Sequence, residues 1–600
     1  VRRDEIAIAN MSGFFGDRVA AAEEMVNGGP IDVLTGDYLS ELTMAILHRL
    51  RMKDPRAGYV PTFLEQMERV MRACTDKGIR VVANAGGLNP EGLAMALEAI
   101  ANKLGLAPKI AWIDGDDLAP RIASLRAAGE TLAHMDTGAP LDEGDGGGAV
   151  VTANAYLGAW GIREALARGA DIVVCPRVTD AALVVGPAAW AFDWRRDDWD
   201  ALAGAVVAGH VIECGAQACG GNYAFFEEVP NWERIGFPIA RVRRDGSFVV
   251  TKHPGTGGLV SVGTVTAQLL YEIQGARYVN PDVVARFDTL TLTSDGPDRV
   301  RVEGVRGEAP PSTLKVSVNR FGGYKNAMTV LLAGSGIDAK AKIVEAMIED
   351  ALGGRAAVER LDVRLERSDR PDPATNEAAL ARLHVTVADR DASKVGRRFS
   401  SRVVEAALSS VPGFTLTEPP RDASPFVVFW PALVARHHVE ERVHIGGETL
   451  VIDAPTCAVP SAKPLVDVEA DDGAREARDE TEMETQTATT RAELGTIFGT
   501  RSGDKGGDAS LGVWAKTPEA YRFLCAFLTQ RKLRELLPEL GTLRVKRTEL
   551  ANVLALHFVI EGLLGRGAMG STRTDPQAKT LGEWLRARVI DVPASLVSRP

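Results

Sequence analysis

The chain has 600 residues, of which 45% are hydrophobic and 25% charged, a balance that suits a globular protein too long for a single core and predicts two to four domains. Its net charge of −11 is uneven: residues 467–484 carry nine Asp or Glu against two Arg. The remainder is close to balanced, which leaves no basic surplus to release counterions from nucleic acid and argues against a nucleic-acid binder.

From residue 5 the pattern is a short apolar strand, a loop and an amphipathic helix, repeated. IAIAN leads to a helix near 17–28, IDVLTG to 39–52, and a helix over 61–77 to IRVVANAGG. PKIAWIDGD then follows a helix over 91–104, and a helix beginning in ANAYLGAWGIREALARGA runs into DIVVCPRVTD. This alternation predicts an α/β fold with a Rossmann-like, parallel, layered main domain over 1–284. In such sheets ligands bind beyond the carboxyl ends of the strands. The loops expected there carry Asn10, Asp37, Asn84, Asn89, Asp114, Asp116, Asp117, Arg177 and Asp180.

Residues 285–460 are richer in strand patterns and predict a second, α+β lobe. The acidic, threonine-rich stretch within 461–491 has the composition of a solvated linker. Residues 492–600 read as two strand pairs, each followed by a helix (518–537 and 576–588), which predicts a small ferredoxin-like α+β sandwich. The cysteines at 74, 175, 214, 219, 457 and 525 form no CxxC pair and are too sparse for a disulfide framework. The start has no apolar leader and no segment reaches the roughly 18 apolar residues of a membrane span. A cytoplasmic protein with no membrane partner is expected.

Residues 209–223, GHVIECGAQACGGNY, concentrate a histidine, a carboxylate, two thiols, an amide and four glycines. Glycine costs backbone entropy wherever no special dihedral or close approach needs it, so the stretch reads as a site. His210 and Glu213 stand three apart, on one side of a helical turn. Three readings remain open for them: a metal pair, an acid/base pair, or a helix end whose polar groups are satisfied internally. Gln217, Gly220, Gly221 and Asn222 belong to the same loop. Cys214 reads as a small buried hydrophobe.

KHPGTGG, 252–258, predicts a strand, a glycine loop and a helix over 260–273, with Lys252, Thr256, Gly257 and Gly258 as an anion seat or, equally, a simple chain reversal. Arg177 and Asp180 in PRVTD suit forked recognition of an anion or an internal ion pair. Asp114, Asp116 and Asp117 in IDGDD could hold a divalent metal or cap the next helix. Asn154 begins another possible anion seat, and Asn84 lies on a strand-end loop. SGDKGGDAS, 502–510, reads as a functional or interface loop, or as a tight hairpin. There is no GxSxG, HExxH, Walker A or dinucleotide fingerprint.

The ordered set SGFFGDR, VVANAGGLNP, IDGDD, NAYLGAWGIREALARGADIVVCPRVTD, GHVIECGAQACGG and KHPGTGGLVS resembles the acyclic terpene utilization protein A (AtuA) family. RSGDKGGDASLGVWA with LHFVIEGLLGRG resembles the ferredoxin-fold module often fused to it, departing at Asp508 and Ser510, where an asparagine-bearing stretch is expected. Together they cover almost the whole chain. The resemblance implies breakdown of acyclic terpenes such as citronellol and geraniol through branched acyl-CoA thioesters, alongside carboxylases, dehydrogenases and hydratases. It supplies no catalytic residues.

The leading expectation is a hydratase or lyase acting on a branched acyl-CoA or the free carboxylic acid. Proton transfer beside a thioester carbonyl needs an acid/base pair and an oxyanion seat rather than a redox cofactor. His210 and Glu213 are then acid and base, and Arg177 and Lys252 partner the substrate's negative groups. The glycine amides at 220–221 and 257–258 are the oxyanion donors. Alternatives are a thioester hydrolase assisted by a divalent metal, and a non-catalytic scaffold whose C-terminal module docks on another subunit or a carboxylase or hydratase partner. A homo-oligomer is expected.

Overall fold

The computed structural model describes residues 4–141, 148–455 and 488–597. Its largest sheet is built on β1 (Glu5–Asn10), β2 (Val33–Gly36), β3 (Arg80–Ala83), β4 (Ile110–Asp114) and β6 (Ile172–Val174), with β5 (Val150–Ala155) placed elsewhere. The five run parallel in the order β1-β2-β3-β6-β4. Next to β1 the antiparallel hairpin of β7 (Pro238–Arg243) and β8 (Phe248–Lys252) extends the sheet, followed by strands Arg299–Glu303 and Thr291–Ser294. At the other edge Arg442–Ile445 and Glu448–Val451 join β4, making eleven strands.

Successive side chains of a strand point to opposite faces, and β1 divides its apolar residues accordingly. Ile6 and Ile8 pack with helices Trp160–Ala167, Ala182–Phe192 and Trp199–Ile212, while Ala7 and Ala9 face helices Ala21–Gly28, Pro61–Lys77 and Pro90–Leu104. Burial on both faces accounts for the continuous apolar runs of these strands.

The second sheet is organised by the 21-residue strand Thr313–Ala333. Its far half pairs with Leu380–Asp389 and Phe414–Leu416, and its near half with Ser424–Ala435 and with β5. A division at residue 284 is therefore crossed twice. Strands after 284 complete the first sheet, and β5, from before it, belongs to the second.

The acidic stretch 467–484 and Cys457 lie outside the described residues. Part of what reads as linker is structured, because Thr489–Glu493 pairs with Val589–Pro593. The tail forms a four-stranded antiparallel sheet from Phe498–Lys505, Asp508–Ala515, Ala555–Ile560 and Val545–Leu550. The helix expected over 518–537 is two helices, Pro518–Phe527 and Gln530–Leu536, since Thr529 turns out of the helix and caps the second by accepting from the Lys532 amide. No helix among the described residues is long and apolar enough to cross a membrane.

Candidate functional site

Helix Trp199–Ile212 is apolar nearly all round and buried from Leu202 onward. Its last turn carries His210 into the core, and Glu213, the capping residue, donates its amide to Gly209 O at 2.8 Å. The turn lies directly on the loop leaving β1. Asn10 Nδ2 donates to Glu213 O at 3.3 Å, and a Cβ on Gly13 would stand 2.5 Å from the carbonyl carbon of Cys214. The loop thus needs glycine at 13 for this approach.

Four further strand ends converge here. Beyond β2, Asp37 accepts from Asn84 Nδ2, beyond β3, at 2.5 Å. Beyond β6, Arg177 donates to Leu39 O and to Asp180 Oδ1, both at 2.7 Å, while its guanidinium lies 4.1 Å from the centre of the Tyr156 ring. Asp116, beyond β4, accepts from Asn154 Nδ2 at 2.7 Å and from the Arg177 amide at 3.2 Å.

The electrostatics follow from placing several carboxyls around one buried arginine. Burial, then Asp180 and Glu272, pushes the Glu213 pKa well above the usual carboxylate range, against the pull of Lys505 and Arg177. Asp37 is raised in the same way by burial, Asp180 and Glu213. Glu213 also sits at the negative end of a helix, which disfavours its ionised form. Glu41 goes the other way: burial opposes ionisation, but Lys315, Arg177 and Lys505 outweigh it and lower its pKa to about 2. Burial raises Asp116 to about 7, with Asp117 adding to the rise.

His210 is fully buried between the rings of Tyr278 and Phe287, 5.0 and 5.4 Å away between centroids. Burial and Lys505 lower its pKa to about 4, so it is a neutral imidazole at pH 7. Its Nδ1 lies 3.3 Å from Glu213 Oε1. With ionisation of the carboxyl disfavoured as well, this is a contact without full hydrogen-bond alignment rather than a simple ion pair.

The wall of the site comes from the second sheet. Ser317 faces Asn154, and Asn319 faces Thr152, across the β5 pairing. Side chains two apart share a face, so Thr152, Asn154 and Tyr156 form one polar stripe with Lys315, Ser317 and Asn319. The Tyr156 hydroxyl and Lys315 Nζ meet Glu41 Oε1 at 3.2 and 3.5 Å. Asn154 Oδ1, Ser317 Oγ, Arg177 Nε and Glu213 Oε2 are buried without hydrogen-bond partners, the usual mark of a site awaiting a polar occupant. Lys315, Ser317 and Asn319 escaped sequence reasoning, although the alternation KVSVN carried their signal.

Residues 252–258 do not join this cluster. Lys252 Nζ pairs with Asp298 at 2.9 Å and donates to Thr256 O at 2.8 Å, and Thr256 Oγ1 donates to His253 O. The Gly257 amide donates to Arg234 O, Gly258 to Pro230 O, Gly220 to Gln217 O and Gly221 to Ala216 O. All four amides expected to hold an anion are engaged by backbone carbonyls. The following helix begins only at Val262, behind a capping box of Ser261 and Thr264. The loop is a chain reversal. Asn222 is exposed at φ +56°, whereas Gln217 Oε1 is buried without a partner.

Nor do the three aspartates of IDGDD share a task. Asp114 pairs with Arg442 at 2.8 Å, Asp116 binds Asn154, and Asp117 caps the Ala119 amide. Among the described residues no three His, Cys, Asp or Glu side chains form a metal-binding group. A cavity of about 470 Å³ at the far sheet edge, lined by Trp160, Arg163, Arg168 and Arg196 among others, includes none of the clustered acids.

SGDKGGDAS is both a tight hairpin and an interface. Lys505 pairs with Asp508 across a Gly506–Gly507 turn, in which Gly506 takes the positive φ, +65°, that a two-residue hairpin needs at its first central position. Behind the turn, Tyr271 is held between Arg501 and Lys579, 4.2 and 4.5 Å from its ring centre. Trp514, Leu550, Val553 and Ala555 join the apolar core of the main body. The tail therefore docks on its own chain. Asp508 accepts from the Gly562 amide, and Ser510 meets buried His557 at 2.9 Å; both serve the tail's own fold.

No curated protein and no solved structure matches the chain. The model of the AtuA ferredoxin-like domain matches residues 492–591, the tail whose hairpin reaches the site. The model of the acyclic terpene utilisation family protein AtuA matches residues 6–445, which contain β1, Arg177, Glu213 and both polar stripes, and the chain belongs to the AtuA family.

Proposed function

We propose that this protein is an acid–base enzyme of acyclic terpene utilisation that adds water to, or removes it from, a branched enoyl thioester or the corresponding free acid. The observation behind this reading is the grouping of Asp37, Asp180 and Glu213 around Arg177, in which burial and the repulsion of Asp180 raise the pKa of Glu213 well above the usual carboxylate range. A carboxyl group whose hold on its proton is strengthened by burial, beside a second carboxyl, Asp180, paired with an arginine, is the arrangement hydration needs.

In the forward direction Asp180 takes a proton from water as its oxygen bonds to the β-carbon. The π pair of the double bond shifts toward the carbonyl, and Glu213 returns a proton to the α-carbon. Elimination is the reverse. His210 does not reach substrate in this scheme; it is a positioning residue that holds Glu213 through the 3.3 Å contact. Arg177, bound to Asp180 and Leu39, orients the base rather than the substrate. The glycine amides play no part, so the enolate oxygen needs another donor.

The test is to incubate the protein with a panel of 3-methyl-branched enoyl-CoA esters and their free acids and follow the products by mass. A gain of one water in at least one member is expected. Release of free CoA without water addition to the double bond would replace this reading with thioester hydrolysis.

A further inference from the structure

We propose that the C-terminal domain completes the active site by supplying Lys505 as the residue that holds the carboxylate oxygen of a bound acid or the carbonyl oxygen of a bound thioester. This rests on the cleft around Glu213 being the substrate site, and not on which reaction runs there.

The position of the hairpin tip is fixed from two sides. At one, Gly503 packs on Tyr271, the ring held between Arg501 and Lys579. At the other, Gly506 lies on Phe429, where a Cβ would stand 3.1 Å from the ring, and that ring is 5.5 Å from Lys315 Nζ. Lys315 in turn is 4.8 Å from the centre of the Tyr156 ring, on the polar wall. Lys505 sits between these anchors, half-buried, within electrostatic range of Glu41, Glu213 and His210.

What distinguishes Lys505 is the use of its charge. Arg177 is bound to Asp180, Lys315 to Glu41 and Lys252 to Asp298. The Lys505 ammonium makes no hydrogen bond or ion pair among the described residues. A half-buried cation that touches none of the acids around it is available to an incoming oxygen, and the unpartnered Asn154 Oδ1 and Ser317 Oγ lie on the adjoining wall. During hydration such a cation stabilises the enolate oxygen that forms as the π pair moves, the role left open when the glycine amides were found engaged.

The experiment uses the full chain with Lys505→Met and Lys505→Arg, titrated calorimetrically with 3-methylbut-2-enoate, alongside melting temperatures. The wild type should bind the acid, Lys505→Met should bind it at least tenfold more weakly with an unchanged melting temperature, and Lys505→Arg should recover most of the loss, since a charge-assisted hydrogen bond is worth about that much. Equal binding by Lys505→Met overturns the proposal. So does a wild type that binds no carboxylate, or a loss that tracks a fall in melting temperature and is not rescued by Arg. If the acid binds through Lys505 while no enoyl-CoA is turned over, the assigned reaction fails and the role of Lys505 stands.

Discussion

Residues 209–223 and 252–258 share a composition, glycines around a buried histidine with a charged neighbour, and differ in what surrounds them. In the first, Glu213 and Gln217 keep buried polar atoms without partners, and Glu213 sits among Asp180, Glu272 and Lys505. In the second, His253 is bonded to Met25 O at 2.9 Å, Lys252 is paired, and the glycine amides meet carbonyls of 230 and 234. Carbonyls of the chain engage the glycine amides in both loops, so the lesson is that the side chains decide: a glycine-rich loop becomes a site when distant segments leave its polar side chains among unpaired partners rather than pairing them off.

This contrast can be tested by substitution. The largest effect is expected from Glu213→Gln, which imitates the protonated carboxyl in shape but cannot give up and recover a proton. Turnover of whichever ester the wild type hydrates should fall at least a hundredfold while the melting temperature stays within a few degrees. Activity close to wild type would remove Glu213 from the chemistry.

Next in size is Gly257→Ala, where the added Cβ would press on the backbone oxygen of Asn231. Overpacking against backbone should cost about 2–3 kcal/mol, seen in denaturant unfolding, with the turnover of the remaining folded protein unchanged. A specific loss of turnover would return this loop to the site.

The smallest effect concerns pH. His210 has a folded-state pKa of about 4 against an unfolded value of about 6.5, so the stability it contributes is present above pH 6.5 and lost as pH falls toward 4. Between pH 7 and 5 that loss is about 2 kcal/mol. His210→Asn should remove it, giving a shallower acid limb than the wild type. The oppositely signed contributions of Glu213 and Asp37 are common to both proteins and cancel. Parallel acid limbs would mean that His210 is protonated in the folded protein.

Much of the framework was legible because it depends on local periodicity. The strand and helix alternation from residue 5 to 180 reports strands buried on both faces, and Asp37, Asn84 and Arg177 were found at strand ends because chain direction alone places them there. What was not legible depended on pairings between distant segments. Strand Val150–Ala155 leaves its neighbours for the second sheet, which only the partner strand Thr313–Ala333 explains. Lys505 stands out as part of a charged glycine loop, but its placement within electrostatic range of Glu41 and Glu213 spans more than 290 residues and leaves no periodic trace. His210 was found as a candidate, yet its complete burial between Tyr278 and Phe287 required the strands after residue 276.

The tail's contribution of Trp514, Leu550, Val553 and Ala555 to the main apolar core makes the 492–600 module a keystone rather than an appendage. A chain ending near 490 would bare the Tyr223, Phe225 and Phe287 surface that now lies beneath it, an oily face of the kind that drives aggregation. The larger part thus depends on the smaller to cover part of its own core.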